Sequence, residues 1–210
     1  MPLAPDFLLD GPARATRIVV LAHGAGASMD TPFMTAMAEG LAGEGFRVAR
    51  FEFPYMAERR NSGRRKPPDR EPVLLESWRA AIAALGEPDR LVIGGKSMGG
   101  RMASLIADES GVAGLLCLGY PFHPPGKPEK LRTTHLEKLK TPALIVQGTR
   151  DPFGTRDDVA GYKLAKTIRL HWAEDGDHDL KPRKASGRTH AEALAEAVAA
   201  ARQFIAKSKA

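Results

Sequence analysis

Short apolar runs alternate along this chain with longer segments in which apolar residues recur at helical spacing. The short runs are rich in Val, Ile and Leu and are almost continuous, which is typical of strands that helices cover on both faces. Alternation of such strands with helices favours a parallel sheet joined by right-handed crossovers. We predict strands over residues 17–22, 47–53, 91–94, 114–119, 143–147 and 167–172.

Five further segments have the pattern of helices that cover a sheet. In the last of them, Leu194, Val198 and Ile205 share one helix face. The predicted helices cover residues 32–43, 72–85, 98–108, 156–165 and 190–206, and the predicted long loops cover residues 55–71 and 121–134. A chain of 210 residues forms one sizeable core. We therefore predict a single α/β domain over residues 1–210, with three layers, about six mostly parallel strands and helices on both faces.

Amino-acid composition indicates the cellular compartment of the protein and limits the kinds of partner it can bind. The single cysteine, Cys117, excludes an intrachain disulfide, and its place in an apolar strand indicates a buried thiol in a reducing compartment. The first residues lack the features of a signal peptide, and no run approaches the ~18 apolar residues of a membrane span. We therefore predict a cytoplasmic protein that does not insert into membranes. The formal net charge of +6 permits an anionic partner without identifying one.

The most informative motif is Gly-Lys-Ser-Met-Gly at residues 95–99, which lies between a predicted strand and a predicted helix. This context indicates a nucleophile elbow, a sharp turn that holds a serine hydroxyl above the edge of a sheet. The flanking glycines are needed because neighbouring backbone approaches the turn and strains its φ and ψ angles. The sequence therefore predicts that Ser97 is a nucleophile and that the amide of Met98 belongs to an oxyanion hole.

A base and an acid complete the predicted site. A serine hydroxyl needs a histidine to take its proton and a carboxylate to orient that histidine, and elbow enzymes present them in the chain order Ser, Asp, His. Asp151 follows the strand predicted at 143–147, and His178 follows the strand predicted at 167–172. Asp177 and Asp179 are weaker candidates, because sequence neighbours rarely point at the ring of a histidine. We expect the remaining histidines to be structural: His123, His135, His171 and His190.

The glycine-rich segment 23–27 follows the first predicted strand, so its backbone can approach a ligand closely. We expect Ala25 to supply the second amide of the oxyanion hole. We also expect four residues at this edge of the sheet to contact substrate: His23, Gly24, Tyr55 and Lys96. Of these, His23 is more typical of a residue that stabilises its own loop. No phosphate-loop spacing is present, and we expect neither a metal nor an organic cofactor.

Several motifs together resemble the small KANL/Tex-type α/β-hydrolase family. They are residues 21–27, residues 53–56, Gly-Lys-Ser-Met-Gly-Gly-Arg at 95–101, Asp-Pro-Phe-Gly at 151–154 and Gly-Asp-His-Asp-Leu at 176–180. The resemblance runs from about residue 17 to the final helix. It implies that Ser97, Asp151 and His178 form a catalytic triad in a compact α/β-hydrolase fold with a minimal cap or none. Dienelactone-hydrolase-like enzymes are related, but they typically carry Cys where this chain has Ser97.

Two basic clusters flank the predicted site, and a functional interpretation is that they attract a small substrate that carries negative charge. They are Arg59, Arg60, Arg64, Arg65, Lys66 and Arg70, and Lys181, Arg183, Lys184 and Arg188. We favour the simpler interpretation that these charges are ordinary solvated surface. Segment 58–71 lacks aromatic residues for stacking on nucleic-acid bases, so we do not expect a nucleic-acid partner. The leading hypothesis is a serine hydrolase that cleaves a carboxylic ester or thioester through an acyl-enzyme. The alternative is a non-catalytic binding or scaffold protein with the same fold.

Overall fold

The computed structural model describes residues 4–208, so the ends of the predicted domain, residues 1–3 and 209–210, lie outside the described residues. Its centre is a seven-stranded sheet in the order β1-β3-β2-β4-β5-β6-β7, in which β1 is antiparallel and the other strands are parallel. The strands are β1 (Phe7–Asp10), β2 (Ile18–Ala22), β3 (Arg47–Phe51), β4 (Leu91–Lys96), β5 (Gly114–Leu118), β6 (Ala143–Gly148) and β7 (Ile168–Ala173).

Helices cover both faces of this sheet. They are α1 (Pro32–Gly43), α2 (Pro54–Ser62), α3 (Glu71–Leu85), α4 (Met98–Ser110), α5 (Arg156–Ala160) and α6 (His190–Lys207). Successive strand residues point to opposite faces: Val19 packs in the cluster that contains α1 and α6, and Val20 in the cluster that contains α3 and α4. The predicted three-layer α/β architecture is therefore confirmed, and no cap covers the sheet within residues 4–208.

The ends of several elements differ by one or two residues from the prediction, as for the strand predicted over 47–53, which ends at Phe51. Three differences are larger. The sheet has seven strands instead of about six, because β1 pairs antiparallel with β3 at the edge of the sheet, where half of its short length stays exposed. The predicted loop 55–71 is wrong for residues 55–62, which belong to α2. The helix predicted over 156–165 ends at Ala160, where the amide of Gly161 donates to the carbonyls of Asp158 and Val159.

Parallel pairing brings the carboxyl ends of the strands to one edge of the sheet. Lys96 at the end of β4 is in register with Leu118 of β5, and Gly148 at the end of β6 is in register with Ala173 of β7. The loops that follow β4, β6 and β7 therefore emerge side by side. None of the helices within residues 4–208 has the length and apolar character that a membrane crossing requires.

Candidate active site

Ser97 occupies the sharp turn between β4 and α4 in a left-handed conformation, with φ 49° and ψ −112°. Such a conformation costs a residue with a side chain ~1–3 kcal/mol and persists only where the surroundings impose it. A Cβ at Gly95 would lie 2.0 Å from the carbonyl oxygen of Ala22, and a Cβ at Gly99 would lie 2.4 Å from the same oxygen. The expected need for glycine on both sides of the serine is confirmed, and Ala22 is the residue that imposes it.

His178 and Asp151 come to this turn from two other loops. The Nε2 atom of His178 lies 2.9 Å from Oγ of Ser97, and its Nδ1 atom lies 2.8 Å from Oδ2 of Asp151. Because a carboxylate only accepts hydrogen bonds, Nδ1 carries the proton, and Nε2 is free to accept the proton of Ser97. The Asp151 side chain is fully buried. The structure therefore brings together the three residues that the sequence singled out, with hydrogen-bond distances between them.

Gln147 on β6, a residue that the sequence motifs did not indicate, holds the Asp151 carboxylate in place. Its Nε2 group donates to Oδ2 of Asp151 at 2.9 Å and to the carbonyl of Tyr120 at 3.2 Å, while its Oε1 accepts from the amide of Tyr120 at 2.7 Å. The side chain is fully buried. A polar residue near the end of an apolar strand was the signal that could have found it, because buried amides need complete hydrogen bonding.

The rival carboxylates have other partners. Oδ1 of Asp177 accepts the backbone amides of Asp179 and Lys181 at 2.9 and 3.0 Å, which closes a turn of its own loop. The Asp179 carboxylate is 64 % exposed and lies 3.2 Å from the ammonium of Lys96. The geometry therefore favours Asp151 as the partner of His178.

The loop 23–27 lies opposite the elbow and is braced from behind. The His23 ring is fully buried; its Nε2 accepts the amide of Phe53 at 3.1 Å, so its Nδ1 donates to the carbonyl of Gly24 at 2.7 Å. Burial lowers the pKa of His23 and keeps the ring neutral. The Tyr55 hydroxyl, on a side chain 2 % exposed, donates to the carbonyl of Ala25 at 2.8 Å. The side chains of His23 and Tyr55 therefore bond to the backbone of this loop, and neither residue lines the cavity beside it.

Of the two predicted oxyanion donors, Ala25 lines the cavity beside Ser97, and Met98 follows Ser97 in the chain without lining it. Met98 is the first residue of α4, so its amide has no acceptor within the helix. Gly24 and Ala25 line a cavity of about 530 Å³ together with Ser97. Its other lining residues are Gly26, Ala27, Ser28, Thr31, Pro32, Phe33, Met34, Lys96, Phe153, His178, Asp179, Lys181 and His190. Because Ser97 and His178 both line this cavity, a ligand bound in it would lie next to the Ser97 hydroxyl.

Among the other histidines, only His190 reaches this cavity within the described residues. It begins α6, and its Nε2 donates to the carbonyl of Asp179 at 2.8 Å. His171 is on β7, as expected, and His135 bonds through Nε2 to Oγ of Ser104 at 2.8 Å on the other side of the sheet. These placements agree with structural roles for His171 and His135, whereas His190 stands at the mouth of the cavity.

Four of the ten residues in the basic clusters form ion pairs with carboxylates. The ion pairs are Arg60 with Glu52 and Asp30, Lys66 with Glu58, Arg183 with Asp175, and Arg188 with Glu196. Lys181 lines the 530 Å³ cavity, and Arg59 lines an adjoining cavity of about 300 Å³. Neither of these two residues has an ion pair among the described residues. The positive charge available to a ligand is therefore smaller than the clusters suggest.

Comparison with known proteins places this geometry in a family. Residues 15–206 match the sequence model of the alpha/beta hydrolase domain family. The chain belongs to this family. Within it, membership of the KANL/Tex-type group stays a prediction. The match covers all three loops that carry Ser97, Asp151 and His178.

Solved structures with the same α/β-hydrolase fold include three that align over nearly the whole chain. Dienelactone hydrolase from Anabaena variabilis is 22 % identical with a TM-score of 0.72, covering 99 % of this chain and 100 % of that one. Est1E from Butyrivibrio proteoclasticus is 18 % identical with a TM-score of 0.70, covering 95 % and 93 %. XC6422 from Xanthomonas campestris, described as a serine hydrolase without lid, is 18 % identical with a TM-score of 0.66, covering 95 % and 96 %. Identities this low support the fold alone.

Proposed function

We propose that this α/β hydrolase is a serine hydrolase that cleaves carboxylic esters or thioesters through an acyl-enzyme. The proposal rests on one observation: a continuous chain of hydrogen bonds runs from Ser97 through His178 to the buried Asp151 and begins in a cavity of about 530 Å³. Ordinary serine is a weak nucleophile, and this arrangement is the one that activates it.

The reaction follows from the positions of these groups. Oγ of Ser97 attacks the carbonyl carbon of the substrate while Nε2 of His178 takes its proton, and the amides of Met98 and Ala25 bind the oxyanion. The imidazolium, stabilised by Asp151, gives the proton to the departing alcohol or thiol, which leaves an acyl group on Ser97. Water then attacks this acyl group, His178 takes a proton from the water and returns it to Oγ, and the acid is released.

The cavity lining suggests the class of substrate. Phe33, Met34 and Phe153 supply apolar wall, and the Phe153 ring packs against the ring of His178 with 4.3 Å between centroids. Lys181 adds a positive charge to the same lining. An apolar acyl or alcohol group carrying a remote carboxylate or phosphate matches this combination. The single buried Cys117 still favours a cytoplasmic location.

Labelling with a fluorophosphonate probe tests the proposal. We expect the wild type to be labelled and to hydrolyse short-chain aryl esters, and Ser97→Ala to lose both reactions while remaining folded. Ser110→Ala, at the far end of the same helix α4, is the matched control and should behave like the wild type. Persistent labelling of Ser97→Ala would exclude Ser97 as the nucleophile. A folded wild type that is neither labelled nor active would favour the non-catalytic binding protein instead.

A further inference from the structure

Lys96 joins the strand that carries the nucleophile to the loop that carries the base. It is the last residue of β4, directly before Ser97, and its side chain is only 9 % exposed. Its ammonium donates to the backbone carbonyl of His178 at 2.6 Å and lies 3.2 Å from Oδ1 of Asp179. It also lies 5.4 Å from the centre of the Phe33 ring on α1. These contacts use most of its three donors, so little remains for a substrate.

The path of this side chain is kept open by a glycine. Lys96 reaches from β4 past the end of β5, where Gly119 has a φ of 68°. A Cβ at Gly119 would lie 2.8 Å from the carbonyl oxygen of His178 and 3.1 Å from Nζ of Lys96. The absence of a side chain at Gly119 therefore leaves room for the hydrogen bond between Lys96 and the carbonyl of His178.

The loop that carries His178 needs such a contact. Two of its residues with side chains have left-handed backbones, Asp175 with φ 56° and Leu180 with φ 61°. Conformations of this kind persist only when surrounding structure imposes them. Leu180 is fully buried and anchors one end of the loop, whereas Lys96 holds the carbonyl of His178 itself.

We infer that Lys96 is a positioning residue, which fixes the backbone of His178 relative to the strand that carries Ser97. The inference rests on the proposed function for its effect on catalysis, but the contact itself does not. Burial lowers the pKa of Lys96, with Asp179 acting in the opposite direction. A cation held in a site that disfavours its charge is consistent with a specific task at that position.

The experiment replaces Lys96 by Met, which preserves length and removes the ammonium, and uses the exposed Lys163→Met as the matched control. With a neutral aryl ester, we expect Lys96→Met to lower kcat by about 10–100-fold, as a small misplacement of a catalytic group does, and to change KM by less than about threefold. Amide hydrogen exchange at Asp179, Leu180 and Lys181 should become faster in Lys96→Met, with global stability checked by urea unfolding. Lys163→Met should change none of these quantities.

Hydrogen exchange keeps the inference separate from the proposed function. If the wild type proves inactive, faster exchange in the His178 loop of Lys96→Met still supports the positioning role, and unchanged exchange overturns it. If the wild type is active, an unchanged kcat in Lys96→Met overturns the inference while the hydrolase assignment stands. A rise in KM with kcat unchanged would assign Lys96 to substrate binding instead.

Discussion

Replacing Asp151 by Asn removes one charge from a carboxylate whose two oxygens both accept hydrogen bonds. Oδ1 of Asp151 accepts the amide of Phe153 at 2.9 Å, and Oδ2 accepts from Gln147 at 2.9 Å and from His178 at 2.8 Å. A carboxylate satisfies all three donors, but an amide of the same shape has one oxygen and one NH₂ group. Wherever the NH₂ group points, it meets a donor.

The two orientations of the introduced amide in Asp151→Asn predict different damage. With NH₂ toward Phe153, the oxygen still accepts from His178, and the rate falls because the imidazolium loses its counter-charge. With NH₂ toward His178, it also faces Gln147 and forces the proton of the ring onto Nε2, where it blocks the transfer from Ser97. We expect kcat to fall between about 10²-fold and 10⁴-fold. One unsatisfied buried group lowers the unfolding free energy by ~1–3 kcal/mol.

Steady-state kinetics on a neutral aryl ester and urea unfolding measure the two quantities, and ¹⁵N NMR of the His178 ring distinguishes the tautomers. Asp179→Asn is the control, because that carboxylate is 64 % exposed and faces Lys96 rather than the ring. It should cost far less activity than Asp151→Asn. If Asp151→Asn stays within tenfold of the wild type while Asp179→Asn is the more damaging change, Asp151 is not the acid that supports His178.

Two further predictions concern charge. If Lys181 attracts anionic substrates, kcat/KM for an ester with a remote carboxylate should fall as the salt concentration rises, while kcat/KM for a neutral ester of similar size should not change. Lys181→Met should abolish this difference. An equal salt response for both esters would contradict the role of Lys181. Burial, and then the charge of Arg101, lower the pKa of His135 to about 4 from an ordinary 6.5. Because the unfolded chain then binds the proton more tightly, stability should fall as pH decreases through this range, by about 1 kcal/mol between pH 7 and 5 after allowance for solvent screening. Urea unfolding of His135→Gln should lack this part of the loss, and equal losses in both proteins would refute it.

The sequence predicted the parallel core and the three loops of the site because both depend on local patterns. Buried parallel strands are continuous apolar runs, and the residue after each run falls at the same sheet edge whatever the strand order. Ser97, Asp151 and His178 could therefore be singled out before the order was known. The glycine-flanked turn likewise encodes its own conformation.

The parts that sequence reasoning missed depend on contacts between distant segments. β1 is an antiparallel edge strand of four residues, too short to show a clear alternation of apolar and polar positions. α2 has only two buried side chains, Tyr55 and Met56, in a segment rich in charged residues, so its apolar positions show no clear helical spacing. The role of Gln147 depends on the pairing of β6 with β5, because Gln147 bonds to the backbone of Tyr120, which follows β5. Lys96 binds a carbonyl 82 residues away along the chain, so its direction follows only from the strand order.

The contacts at the sheet edge divide the site into two halves. The elbow and the loop 23–27 form one half, because Gly95 and Gly99 both pack against the carbonyl of Ala22, directly before that loop. Asp151 and His178 form the other, held by Gln147 and by the bond between them. Ser97 and the proposed oxyanion donors are therefore fixed together, but the distance from Ser97 to His178 depends on contacts between the halves. Lys96 makes such a contact from the residue next to Ser97, so a change there should separate Ser97 from His178 while leaving each half intact.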